Sequence, residues 1–261
     1  MLVRDGDGGL EVFMLRRSLR SVFVGGAHVF PGGAVDTTDR LPDLHAICGH
    51  RTDAAASAVL GVADGGLAFW AAAVRECFEE AGVLLARDQA GDPVSFADPA
   101  VAARFEEHRE RLNDGEATFL DVCTTERLTL DVAAIHYFAH WITPLGAPRR
   151  YDTRFFLAAA PADQVPLHDD REVIANVWVR PSDALDRGRA GEYELIEPTM
   201  RTLEALARFD TAGEVLDAAR AVGLTPDIVP RMGRTNEGVR IPLPGDAAGL
   251  DTGERRSGGR P

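Results

Sequence analysis

The 261-residue chain contains no lysine; all 28 of its basic residues are arginine. That absence excludes Schiff-base lysines, phosphate-loop lysines and kinase-type lysines. Any anionic ligand must then be held by arginine, by backbone N–H groups or by a metal ion. Bases are also few relative to the 41 acids, leaving a net charge of −13 and a pI near 5.0. Such a surface is a poor general binder of nucleic acids or anionic membranes. No apolar run approaches the roughly 18 residues of a membrane-spanning helix, and Met1-Leu2-Val3-Arg4-Asp5-Gly6 has no signal-peptide core, which points to a cytoplasmic protein. The three cysteines, Cys48, Cys77 and Cys123, have no C-x-x-C spacing, so neither a disulfide framework nor a cysteine-rich zinc site is expected. His136 and His140 lack the acid of an H-E-x-x-H motif and read as packing residues, and His45, Cys48 and His50 lack a fourth zinc ligand.

What is present is a globular α/β pattern, 45% apolar and 26% charged. The opening reads as a hairpin: Leu2-Val3-Arg4, a turn over Asp5-Gly6-Asp7-Gly8-Gly9, then Leu10 to Leu15. Its first strand begins almost at Met1, which suggests a natural start further upstream. A short apolar run, His28-Val29-Phe30, is broken by Pro31-Gly32-Gly33. Residues 37–66 show weak periodicity and read as a long surface insertion. Helices are predicted over 67–82, stopped by Gly82, over 98–113, capped by Asp98 and Pro99, and over 118–126. Strands follow at 139–143, 153–159 and 173–179, then helices at 181–187, 198–209 and 211–222.

Chemistry concentrates in Arg75-Glu76-Cys77-Phe78-Glu79-Glu80-Ala81-Gly82-Val83. At about 100° per residue, Glu76, Glu79 and Glu80 share one helix face, while Trp70, Val74, Cys77, Phe78 and Ala81 form the core-facing stripe. Arg75 stands at the border. Three carboxylates at this spacing repel one another, and a hard divalent cation, Mg²⁺ or Mn²⁺, offsets the repulsion. The plainer alternative is a solvated acidic face.

The Phe30-Pro31-Gly32-Gly33 turn upstream and Gly82 downstream complete a pattern that resembles the Nudix hydrolase signature, G-x5-E-x7-R-E-U-x-E-E-x-G-U with U apolar. Gly33 matches its first glycine, and Arg75, Glu76, Cys77, Glu79, Glu80, Gly82 and Val83 match its second half in register. Gly33 and Arg75 are 42 positions apart where the uninterrupted signature has 14, so 28 residues are inserted. The early Glu of the signature falls at Leu67; Asp36, Asp39 and Asp64 are the acids that remain to replace it. A split signature of this kind resembles the coenzyme A diphosphatases of the Nudix motif-19 type. Trp141-Ile142-Thr143-Pro144, Arg150-Tyr151-Asp152-Thr153-Arg154-Phe155-Phe156, Glu197-Pro198-Thr199 and Leu243-Pro244-Gly245-Asp246 agree with that branch.

The resemblance implies a Nudix-type α/β/α sandwich with a mixed β-sheet over residues 1–246. Insertions at 34–66 and 84–130 would shape the pocket, and 247–261 would form a flexible tail. It implies water attack on a phosphoanhydride, with Glu76, Glu79, Glu80 and Gly33 holding Mg²⁺ or Mn²⁺ and Arg75 orienting the carboxylates. Glu76 or Glu172 would act as general base. Gly32, Gly33, Arg149, Arg150 and Arg154 would bind a small nucleotide-derived substrate, coenzyme A or an acyl-coenzyme A. ADP-ribose, NADH, a nucleoside triphosphate, or a non-catalytic nucleotide-binding role stay open, and the resemblance leaves room for a homodimer.

Overall fold

Leu2–Gly6 (β1) and Gly9–Arg17 (β2) pair antiparallel with Gly6 opposite Gly9, so the predicted hairpin closes on Asp7 and Gly8. Gly9 takes φ of +104°, which a side chain would resist. The structure is a computed structural model that describes residues 1–18, 25–143, 150–169 and 173–221, and the backbone of 227–228. Further strands are His28–Val29 (β3), Ala86–Arg87 (β4), Thr129–Leu130 (β5), His136–Ile142 (β6), Asp152–Ala159 (β7), Val173–Val179 (β8) and Asp227–Ile228 (β9). Among the described residues, seven of them form one mixed sheet in the order β3-β2-β1-β7-β6-β9, with β8 also pairing β2. β1 runs parallel to β7 and β6 parallel to β9, and the other pairs are antiparallel. β4 and β5 form a separate two-stranded ribbon.

The helices are Pro42–Ala46 (α1), Asp53–Leu60 (α2), Leu67–Ala81 (α3), Pro99–Asn113 (α4), Phe119–Thr125 (α5), Pro181–Arg189 (α6), Glu197–Leu206 (α7) and Ala212–Ala221 (α8). Asp98 caps α4 by accepting from the Ala100 amide, and Thr118 with Asp121 forms a capping box on α5. None of the described helices is long and apolar enough to cross a membrane.

Residues 37–66 correct the reading of a surface insertion. They fold as a 3₁₀ turn at Thr38–Arg40 followed by α1 and α2, and Asp39, Leu44, Ala56 and Leu60 are buried. Their apolar residues are too sparse to draw a helical stripe, but they pack against α3 in one core. Side-chain bonds supply the rest: Thr52 caps α2, and the Asp53 carboxylate accepts from the amides of Gly65 and Leu67, joining the starts of α2 and α3.

Alternation along β2 divides its side chains between two cores. Val12 and Met14 pack with residues of α6, α7 and α8, whereas Phe13 and Leu15 pack with α3 and both insertions. Phe156 and Leu157 of β7 split the same way. Helices thus cover both faces of a mixed sheet, the expected α/β/α sandwich.

Candidate active site

Helix α3 forms because one stripe of it is wholly apolar. Trp70, Val74, Phe78 and Ala81 are at most 1% exposed, and the Trp70 indole N–H donates to the Ile135 carbonyl at 2.9 Å. Gly82 ends the helix at φ +66°, with its amide bonded to Phe78 and that of Val83 to Cys77. This packing turns Glu76 and Glu80 toward the Pro31–Gly33 turn and leaves Glu79 beside Arg75. Cys77 faces the core as expected, and burial pushes its thiol up to about 12.

Arg75 is the hub, 10% exposed rather than peripheral. Its Nη1 donates to Glu76 at 2.9 Å and to Glu79 at 2.7 Å, and its Nη2 to the Ala34 carbonyl at 3.0 Å. Nε and Nη2 form a two-point pair with Asp39, both bonds 2.9 Å. Of the acids left open by the missing Glu, Asp39 therefore takes the contact with Arg75, whereas Leu67 sits in the core. Burial opposes the charge on Arg75, but Asp39, Glu76 and Glu79 outweigh it and raise its pKa. Burial and the neighbouring Glu79 push the Glu76 carboxyl up to about 7 against the pull of Arg75. Burial raises Glu79 as well.

The glycine turn meets these carboxylates directly. The Gly32 amide donates to Glu80 at 2.8 Å, and Gly32 has φ of +148°. A Cβ on Gly33 would lie 2.4 Å from the Glu76 carboxylate, so only glycine fits there without moving it. Side chains of Glu76 and Glu79 rest on Arg75 and that of Glu80 on Gly32. Among the described residues no trio of His, Cys, Asp or Glu is already converged as a ligand set. Among the described residues, Arg75 is the guanidinium that pairs with Asp39, Glu76 and Glu79.

A cavity of about 990 Å³ opens beside this cluster, and Gly32, Gly33, Glu76 and Arg154 all line it. Its walls are largely apolar, with Phe30, Trp141 and Phe155 prominent. From the insertions only Ala34, Val35 and Leu85 line it, and the rest pack elsewhere around α3. Arg154 lies over the Phe69 ring at 4.5 Å and donates to Asp152 at 2.8 Å. Asp152 also meets His140 Nε2 at 2.5 Å, so His140 belongs to a polar network at the cavity as well as to the packing. Arg150 is exposed and donates to the Thr143 carbonyl instead. Arg149 and Glu172 lie outside the described residues. His45 bonds the Asp39 carbonyl, which places it behind Arg75.

The model of the NUDT19 Nudix domain matches residues 52–206, a stretch that contains α3. The acyl-coenzyme A diphosphatase NUDT19 of Homo sapiens is 30% identical over 280 residues, spanning 93% of this chain and 73% of the human protein. The Gallus gallus protein of the same name is 32% identical over 245 residues, 80% of this chain and 64% of its own. A crystal structure of a NUDIX hydrolase from Alicyclobacillus acidocaldarius superposes with a TM-score of 0.66 at 26% identity, covering 86% of this chain and 95% of that one. Fold and signature helix together define a Nudix hydrolase, an enzyme. Within that class the chain belongs to the NUDT19 Nudix domain family.

Proposed function

We propose that this enzyme hydrolyses the diphosphate of coenzyme A or an acyl-coenzyme A, giving 3′,5′-ADP and (acyl-)4′-phosphopantetheine. The observation that carries the reading is the cavity: one large space has the Glu76 carboxylate and the glycine turn on its wall and long apolar surfaces beside them. Its volume and lining suit a diphosphate joined to an extended organic arm. The relatives' name, acyl-coenzyme A diphosphatase, agrees with it.

Glu76, Glu79 and Glu80 would hold Mg²⁺ or Mn²⁺, with Gly33 as a further ligand, and their carboxylate oxygens suit such a hard cation. The bound metal would neutralise the diphosphate and acidify the attacking water. Arg75 keeps Glu76 and Glu79 in place through charge-assisted hydrogen bonds, and the Gly32 amide does so for Glu80. Glu76, on the cavity wall, would accept the proton of the water that attacks phosphorus. Glu172 is the other base in this reading. As the new P–O bond forms, the bridging P–O bond breaks and its electrons leave with the departing phosphate. Arg154 would orient the anionic substrate from the wall of the same cavity.

The test is a substrate panel of coenzyme A, an acyl-coenzyme A, ADP-ribose, NADH and nucleoside triphosphates, each with Mg²⁺ and with Mn²⁺. Preferential release of 3′,5′-ADP supports the reading. Faster turnover of ADP-ribose, NADH or a triphosphate replaces it with another Nudix pyrophosphatase activity, and binding without turnover replaces it with a regulatory role.

A further inference from the structure

The second insertion carries a buried cation that the signature does not contain. Arg109 on α4 is 2% exposed, and its nearest carboxylate is the half-exposed Glu106 at 3.4 Å. Its strong bonds go to backbone. Nε donates to the Glu79 carbonyl at 2.9 Å, and Nη2 donates to the carbonyls of Glu80 at 3.0 Å and Leu167 at 2.9 Å.

The last carbonyls of a helix have no partner within it. In α3 those of Cys77 and Phe78 are taken by the amides of Val83 and Gly82, and that of Ala81 by the amide of Leu167. Arg109 donates to the carbonyls of both Glu79 and Glu80, and Asn113 Nδ2 also reaches that of Glu79 at 3.4 Å. A cation at this end of the helix also complements its dipole. Each of these two glutamates is thus held at both ends. For Glu79, Arg109 holds the carbonyl and Arg75 the carboxylate; for Glu80, Arg109 holds the carbonyl and the Gly32 amide the carboxylate. Gly82 leaves room for this arrangement, since a Cβ there would stand 3.2 Å from Arg109 Nη1.

We propose that Arg109 is a positioning residue of the hydrolytic site, a clamp from the second insertion that fixes the last turn of α3 and with it the backbone from which Glu79 and Glu80 project. The proposal rests on the hydrolase reading above. Arg109 touches no substrate; it acts through the two glutamates.

The test compares Arg109→Met and Arg109→Lys with Val215→Ala, a core truncation in α8 on the opposite face of the sheet. For each variant kcat and KM on the best substrate of the panel, thermal stability, and hydrogen exchange of the 79–84 amides in metal-free protein are measured. Arg109→Met is expected to lower kcat by about 10²-fold with KM little changed, the effect of misplacing reacting groups from a distance. Its 79–84 amides should exchange faster than in the wild type and in Val215→Ala. Arg109→Lys, which keeps the charge but not the fork, should fall between, and it decides the matter if the Met variant does not fold. Turnover per folded molecule equal to that of Val215→Ala, with unchanged exchange at 79–84, overturns the clamp. A wild type that hydrolyses no diphosphate sinks the functional reading instead, a failure distinct from that of an active enzyme indifferent to Arg109.

Discussion

Asp39 and Arg75, 36 residues apart in the chain, face each other as a two-point ion pair in which the Asp39 side chain is 1% exposed. The acid comes from the insertion and the base from the signature helix, so the loop that interrupts the signature also supplies the counter-charge for its arginine. Removing one member of a buried pair strands the other. Asp39→Asn is expected to cost about 3 kcal/mol of stability and to loosen Arg75 from its carboxylates. Chemical denaturation and kcat would both register it. Leu67→Glu, which restores the signature's missing acid, should not rescue Asp39→Asn, because position 67 points into the core and the new charge would be buried there.

Gly33→Ala separates activity from stability. The added methyl meets the mobile end of the Glu76 side chain rather than backbone, so that carboxylate has to move. Turnover should fall steeply while the unfolding midpoint changes little. A fully active Gly33→Ala enzyme would show that Glu76 need not stand where it does.

Glu79→Gln and Glu80→Gln keep shape and one acceptor oxygen but remove the charge. Each is expected to lower kcat by about 10²- to 10³-fold, the range for losing one electrostatic contributor to a transition state, with the circular dichroism spectrum unchanged. Glu76→Gln should be inactive too, yet more stable than the wild type at pH 8 in metal-free buffer. Burial raises the folded pKa of Glu76 to about 7, above the ordinary carboxylate value of 4.5, so its ionised form weighs against folding at alkaline pH. Paired melting curves at pH 8 and pH 5 would check the sign.

His28 gives the acid limb of stability a distinct contributor. Its ring is 7% exposed and stacks on Tyr193 at 3.7 Å, and burial, then Arg16 and Arg187, push its pKa from 6.5 down to about 4. The folded protein keeps it neutral where the unfolded chain already binds a proton. Stability from this group is therefore whole above pH 6.5 and lost progressively as the pH falls toward 4, on the order of 3 kcal/mol in all. Urea titrations of wild type and His28→Gln across that window should show a shallower decline in the variant.

The hairpin, the two long helices α3 and α4 and the late strands were legible because each carries its own periodicity and stop signal. In α3 the apolar stripe, Gly82 and the glutamate spacing all point one way. Residues 37–66 were not legible, since Leu44, Ala56 and Leu60 acquire meaning only against α3, and Asp53 folds the loop through backbone amides that no sequence pattern displays. Asp39 stood among three acids that spacing could not separate. Arg109 left only a faint trace, a charge at helical spacing between Phe105 and Leu112 on the buried side of α4, because its partners are carbonyl groups common to every residue.

The bond between the Gly32 amide and the Glu80 carboxylate bridges 48 residues and spans the whole insertion. With both ends of the detour pinned and Leu44, Ala56 and Leu60 packed on α3, the exposed turn at 61–64 is the place in it to graft sequence in engineering. The first few residues of the detour are not, since any ancestor or design that dispensed with them would have to recruit a replacement for Asp39 from elsewhere before Arg75 could be seated.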